Sequence, residues 1–167
     1  MRMLITGITG FVGSYLAKKL LPLGREVYGL YRRRADGNVS KRLVEMGILG
    51  QVKLVEGDMT DLTSLLFALD KAQPDVIFHL ASQSYVPRSF ADPLETFRVN
   101  SLGTQNLLEA SRLKDLDCKI VRMHITSLQT LQIMGSNVTI TSATLDQKPM
   151  DKKEIAWEKQ YKNDVKL

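Results

Sequence analysis

The sequence predicts an α/β fold on a mainly parallel sheet, and three observations carry that prediction. Short β-branched or apolar runs alternate with longer segments of helical period over the first 123 residues. The connections between them are short, as strand–helix–strand crossovers of one hand require. Three glycines at three-residue spacing, Gly7, Gly10 and Gly13, stand where the first strand gives way to the first helix.

The elements follow in order. Met3-Leu4-Ile5 reads as a buried strand ending at Thr6-Gly7. Phe11 to Leu23 places Val12, Tyr15, Leu16, Lys19, Leu20 and Leu23 at helical spacing, with Gly24 as the glycine that closes the helix. Glu26 to Tyr31 reads as a second strand, followed by a basic turn. A helix runs from about Val39 to Met46 and closes at Gly47 or Gly50. Val52 to Val55 makes a third strand and Glu56-Gly57-Asp58 its turn. Thr60 or Asp61 caps a helix carrying Leu62, Leu65, Leu66 and Leu69. Pro74 precedes a fourth strand, Asp75 to Leu80. A long helix follows Pro93, with Phe97, Leu102, Leu107, Leu108 and Ala110 on its apolar side, and Cys118 to Met123 is a fifth strand.

Beyond this the rhythm stops. Leu128 to Met134 is mostly apolar, Val138 to Thr141 alternates as a half-exposed strand does, and the chain from Lys148 is charged, reading equally as a short helix anchored by Ile155 and Trp157 or as a loose segment. The boundary falls near residue 127, giving a nucleotide-binding domain at 1–127 and a divergent tail at 128–167.

Size and composition exclude several classes. The chain has 167 residues, 44% hydrophobic and 25% charged, enough for one domain with a core. One cysteine cannot form an internal disulfide, so a disulfide-stapled secreted scaffold is excluded. No apolar run approaches the roughly 18 residues of a membrane span, and the N-terminus does not read as a signal peptide. A cytoplasmic protein that binds no membrane is expected. A formal charge of +5 is mild. Arg32 to Arg34 with Lys41 and Arg42 form a basic patch, but without a recognised motif nucleic-acid binding is not expected. His79 sits in an apolar strand and reads as a satisfied core histidine, as does His124. No metal constellation is present.

The segment Thr6-Gly7-Ile8-Thr9-Gly10-Phe11-Val12-Gly13 points to a dinucleotide. Gly7 permits a sharp turn, Gly10 lets backbone amides approach a pyrophosphate, and Gly13 allows close helix–sheet packing. The helix N-terminus adds partial positive charge. NAD sites usually place an acid at the end of the second strand, roughly 20 residues beyond the glycines. This chain has Tyr31-Arg32-Arg33-Arg34 there. An arginine fork suits a 2′-phosphate, so NADP is favoured, with NAD left open by Asp36 as a late ribose acid.

Residues 3 to about 124 resemble the extended short-chain dehydrogenase/reductase family, in its sugar-nucleotide epimerase/dehydratase branch. The wording there is similar to GDP-mannose 4,6-dehydratases and GDP-4-keto-6-deoxymannose reductases. The resemblance rests on Ile5 to Leu16, the Tyr31-Arg32-Arg33 turn, Gly57-Asp58-Met59-Thr60-Asp61, Phe78 to Val86, and Val99-Asn100-Ser101-Leu102-Gly103-Thr104. It implies a doubly wound (Rossmann) sheet ordered 3-2-1-4-5. It also implies a cofactor site of Gly7, Thr9, Gly10, Phe11, Val12, Gly13 and Arg32. Asp58 would accept from the adenine amino group with Met59 against the ring. Leu80, Ala81 and Ser82 would line the cofactor, although plain strand packing explains Leu80 and Ala81 equally. Gln83, Ser84 and Tyr85 would face the nicotinamide and sugar, with Ser84 toward substrate. Asn100 would be structural, satisfying polar backbone inside the long helix.

The family oxidises a sugar hydroxyl by hydride transfer, with a tyrosine base and a lysine four residues later on the same helix face. Tyr15 and Lys19 have that spacing but lie within the cofactor fingerprint, and Tyr161 precedes Lys166 by five. Thr126-Ser127 falls where the dehydratases carry Thr or Ser, leaving Thr126 as the candidate catalytic residue. Leu128 occupies the place of their glutamate. The resemblance therefore implies a cofactor half without the C-terminal substrate lobe. Truncation or a disrupted reading frame is the favoured expectation; the alternatives are a non-catalytic dinucleotide-binding module, a relative of the GDP-4-keto-6-deoxymannose reductases and epimerases, and a tail that builds an unfamiliar active site with a partner subunit. A nucleotide sugar is the expected small-molecule partner and a homodimer the oligomer left open.

Overall fold

The computed structural model describes residues 1–33, 35, 40–123 and 139–143. Readings that involve Arg34, Asp36, Val39, His124, Thr126, Ser127, Leu128, Ile155, Trp157, Tyr161 and Lys166 lie outside them.

Six strands form one parallel sheet: β1 (Arg2–Thr6), β2 (Glu26–Tyr31), β3 (Lys53–Glu56), β4 (Val76–His79), β5 (Lys119–Met123) and β6 (Thr139–Ala143). Their order is β3-β2-β1-β4-β5-β6, the expected 3-2-1-4-5 arrangement extended by one strand. The sixth strand comes from beyond residue 127 and pairs in parallel with β5, Ile120 opposite Ile140. β1 is central, and Met3 to Thr6 are buried without alternation because both sheet faces are covered.

Each face has its own core. Helix α1 (Phe11–Leu20) and the short α2 (Lys41–Glu45) cover one, around Ile5, Ile8, Ala17, Val27, Leu43 and Ile48. Helices α3 (Leu62–Ala72) and α6 (Gly103–Leu113) cover the other, around Leu4, Leu30, Leu65, Leu69, Ile77, Leu107 and Ile120. Two short helices, α4 (Val86–Ala91) and α5 (Pro93–Phe97), lie between β4 and α6. The sequence reading had not separated α4.

Local chemistry explains the boundaries. Asp61, not Thr60, caps α3, its carboxylate accepting from the Thr63 and Ser64 amides at 3.0 and 3.3 Å. Such a cap contributes about 1 kcal/mol. After α1 a 3₁₀ turn, Leu21–Leu23, ends at Gly24, whose φ of 66° is the left-handed closing conformation.

Two helix faces differ from their periodicity. In α1 the buried residues are the small ones, Gly13, Ser14 and Ala17, whereas Val12 and Tyr15 are exposed, as is Leu23 in the turn beyond. The helix approaches the sheet so closely that small side chains take the inner face. In the long helix, Phe97 and Leu102 are exposed rather than buried. A π-helical segment, Arg98–Leu102, joins α5 to α6 and breaks the 3.6-residue phase, so the apolar stripe ahead of it does not continue the one behind.

Candidate functional site

The strands are parallel, so the segments that follow them emerge at one edge of the sheet. Gly7 follows β1, Arg32 follows β2, Asp58 lies just past β3, and Leu80 follows β4. β1 connects to β2 on one side, and β4 lies on its other side. The crevice between their carboxyl ends is thus the topological switch point, where open α/β sheets take ligands.

The glycine loop is built to approach that crevice. Gly7 adopts φ +72°, and a Cβ there would lie 2.8 Å from the Ala81 amide nitrogen, so Gly7 is the contact between the two loops. Gly13 does more than bring helix to sheet, because its Cβ would strike the Gly7 carbonyl and come within 2.8 Å of Ile8 Cα. The three-glycine loop is folded on itself. Ile8, in turn, sits over Gly29 of β2, where a Cβ would be 2.9 Å from its side chain. Gly10 is different: the nearest atom to a Cβ there is the Gly7 carbonyl oxygen at 3.2 Å. Its absence of a side chain matters outward. Gly10 is also the N-cap of α1 and supplies no capping side chain, leaving first-turn amides for an incoming anion. This cradle fits a pyrophosphate.

Around it, Thr9 presents its carbonyl to Arg42 Nη1 at 3.2 Å and to the Ser40 hydroxyl at 3.4 Å. The Arg42 guanidinium lies 5.9 Å from the centre of the Phe11 ring, and Phe11 and Tyr15 have ring centres 4.8 Å apart. Arg42 thus belongs to the glycine loop rather than to a separate basic patch. Its place in a charge run was the sequence signal, but nothing local aimed it at Thr9. Phe11 and Val12 are exposed beside it.

Arg32 is exposed, and its Nη1 lies 3.9 Å from Asp58 Oδ2. The other Asp58 oxygen accepts from the Thr60 amide and hydroxyl, both at 2.8 Å. Asp58 therefore keeps one carboxylate oxygen turned outward toward an arginine. The Met59 side chain is buried in the core, against Gly103, and its carbonyl accepts from Asn106 Nδ2 at 3.0 Å.

The segment after β4 is held mainly by its backbone. The Leu80 and Ala81 amides both donate to Thr6 Oγ1 at 3.1 Å, while both side chains pack against the two cores. Strand packing and crevice lining thus coexist there. Gln83 does not project freely toward a ligand. Its Oε1 accepts from the Tyr85 amide at 2.6 Å and its Nε2 donates to the Tyr85 carbonyl at 3.1 Å, building the turn instead. Ser82, Ser84 and Tyr85 are exposed. Asn100 is structural, as expected, but the backbone it satisfies is that of Gln83 in the loop after β4, not that of its own helix.

His79 is the buried histidine the sequence suggested. Nδ1 lies 2.8 Å from Thr6 Oγ1 and Nε2 lies 3.0 Å from Thr104 Oγ1. Burial, with a smaller effect from Arg122, pushes its pKa down to about 4, so the ring is neutral near pH 7. Thr6 and Thr104 were missed as site-building residues, although both stand within the glycine and Asn100 motifs. Among the described residues, no helix is long and apolar enough to cross a membrane.

Comparisons with known proteins agree with this geometry. Residues 4–131 match the family described as GDP-mannose 4,6 dehydratase. The chain is 42% identical over 120 residues to a GDP-mannose 4,6-dehydratase of Yersinia enterocolitica, covering 70% of this chain and 32% of that protein. It is 41% identical over 112 residues to the human GDP-mannose 4,6 dehydratase, covering 64% of this chain and 30% of the relative. Among solved structures, UDP-glucose 4-epimerase of Thermus thermophilus in complex with NAD superposes with a TM-score of 0.63 at 35% identity, over 74% of this chain and 37% of that one. The dTDP-glucose 4,6-dehydratase DesIV of Streptomyces venezuelae, with NAD bound, gives 0.61 at 31% identity, over 74% and 39% of the respective chains. The chain spans about a third of the length of the curated relatives it matches. With its glycine cradle, its switch-point crevice and a match over most of its length, the chain belongs to the GDP-mannose 4,6-dehydratase family.

Proposed function

We propose that this chain supplies the dinucleotide-binding part of a sugar-nucleotide 4,6-dehydratase of the GDP-mannose type, with NADP(H) as the preferred cofactor. The observation that carries the reading is the glycine cradle at the carboxyl end of β1, with the Arg32–Asp58 pair at the ends of β2 and β3. In the bound state the nicotinamide supplies hydride acceptance and return. The chain's own residues bind and orient. First-turn amides of α1 meet the pyrophosphate, Arg32 meets a 2′-phosphate, and the outward oxygen of Asp58 accepts from the adenine amino group. The Leu80 to Ser82 segment bounds the nicotinamide half. A cytoplasmic protein acting on a nucleotide sugar is the setting this reading carries with it.

The preference for NADP rests on charge. Arginine at the end of β2 pairs with a doubly charged phosphate, whereas an acid there would repel it. The test is titration of the full chain with NADPH and NADH, followed by GDP-mannose turnover. Tighter NADPH binding with turnover supports the whole reading. NADPH binding without turnover leaves the non-catalytic module. No binding of either dinucleotide overturns both.

A further inference from the structure

Thr6 and His79 stand opposite each other in the β1–β4 register, which brings their side chains together on one sheet face. Thr6 is fully buried and His79 is 4% exposed, so water is no ready substitute for a missing partner. The hydrogen bonds here determine one another. Thr6 Oγ1 accepts from the Ala81 amide and from the Leu80 amide, the latter shared with the Thr6 carbonyl at 3.3 Å, so amide donors face both of its lone pairs. Its own proton therefore goes to His79 Nδ1. An accepting Nδ1 carries no hydrogen, so the neutral ring carries its proton on Nε2, which donates to Thr104 Oγ1. Thr104 then donates to the Asn100 carbonyl at 2.7 Å. Finally, the Asn100 carboxamide bonds both the amide and the carbonyl of Gln83.

The chain of bonds starts and ends on the same loop. It leaves from Leu80 and Ala81, crosses the sheet through His79, and returns to Gln83. We propose that His79 is a positioning residue: as the neutral Nε2–H tautomer it carries one direction of hydrogen bonding from Thr6 to Thr104, and so fixes the Leu80–Gln83 loop in the shape that bounds the crevice. The opposite tautomer would aim a proton at a hydroxyl whose lone pairs both face amide donors. It would also draw the Thr104 proton away from Asn100. That the fixed loop serves a dinucleotide rests on the function proposed above; the tautomer and the bond direction do not.

The test uses the full chain with ¹⁵N-labelled histidine. In His124→Gln the remaining imidazole is His79, since the chain has two histidines. At neutral pH the expected spectrum has a proton on Nε2 alone; a proton on Nδ1, or a mixture of tautomers, overturns the proposal. Thr104→Val, which removes the acceptor, should leave the proton on Nε2 but move the ¹⁵Nε2 resonance off its hydrogen-bonded value, and should weaken NADPH binding roughly three- to tenfold, the equivalent of one net hydrogen bond. Thr104→Ser should restore both. Parental behaviour in Thr104→Val, or failure of Thr104→Ser to rescue, overturns the role. If Thr104→Val does not fold, Thr104→Ser alone decides, by keeping or losing the single tautomer. Should the parent bind no NADPH, the proposed function falls while the spectrum still decides the tautomer.

Discussion

The carboxamide of Asn100 grips the backbone of Gln83 in both directions. Oδ1 accepts from the Gln83 amide at 2.7 Å, and Nδ2 donates to the Gln83 carbonyl at 3.0 Å. Asn100 lies inside the π-helical segment, so an irregular turn of helix aims it at a loop 17 residues away in sequence. Asn100→Asp keeps the acceptor but loses the donor, leaving the Gln83 carbonyl without its partner. Urea unfolding should register a loss of about 1–2 kcal/mol. An unchanged midpoint would mean the loop is held elsewhere.

Gly7 and Gly10 should separate stability from binding. Gly7→Ala forces a methyl into a left-handed conformation and against the Ala81 amide, at an expected cost of about 2–4 kcal/mol. A Cβ at Gly10 meets only the Gly7 carbonyl, at 3.2 Å, so Gly10→Val should lower the melting temperature less than Gly7→Ala does while NADPH binding is lost. Equal loss of stability in the two would contradict the outward role of Gly10.

Arg32 is exposed, and its pairing with Asp58 contributes little to the fold. Arg32→Ala should leave the melting temperature within a degree or two. It should weaken NADPH by roughly 1.5–3 kcal/mol, about tenfold or more, and NADH far less. Paired titrations give the ratio, and equal losses would refute the 2′-phosphate assignment.

His79 makes stability depend on pH. Its folded pKa of about 4 lies below the ordinary 6.5, so the unfolded chain binds the proton more readily. This contribution is fully present above pH 6.5 and is lost as pH falls through 4, by up to about 3 kcal/mol. Chemical unfolding between pH 7 and pH 4 should show that slope, and His79→Gln should flatten it.

Cys118, the single cysteine, is 3% exposed, and burial, with a smaller effect from Asp117, pushes its thiol pKa up to about 11. Almost no thiolate exists at pH 7, so alkylation should be slow in the native chain and fast in urea. Rapid native labelling would show that β5 opens locally.

Much of this molecule is legible in its sequence. The runs Met3-Leu4-Ile5 and Asp75 to Leu80 mark strands because apolar residues without alternation fit a sheet covered on both faces. The glycine triplet announces its loop through its spacing between a strand and a helix, and Thr60-Asp61 announces a cap through its place ahead of an apolar helix. These are local signals, set within a few residues of backbone. The inward turn of Met59, the use of Gln83 to build its own loop, and the small-residue face of α1 were not legible, because each depends on what packs opposite.

The sequence by itself determined the strand–helix alternation, the glycine triplet after β1 and the arginine at the end of β2. Only the tertiary structure decided which groups complete the site. Thr6 meets His79 across 73 residues, and His79 meets Thr104 across 25. Arg42 reaches Thr9 across 33. Such pairs are absent from any local window; parallel pairing of β1 with β4 brings Thr6 to His79, α6 brings Thr104 to His79, and α2 brings Arg42 to Thr9. The physical reason is that a buried polar group takes whatever partner the packed chain delivers, and delivery is a property of the whole fold.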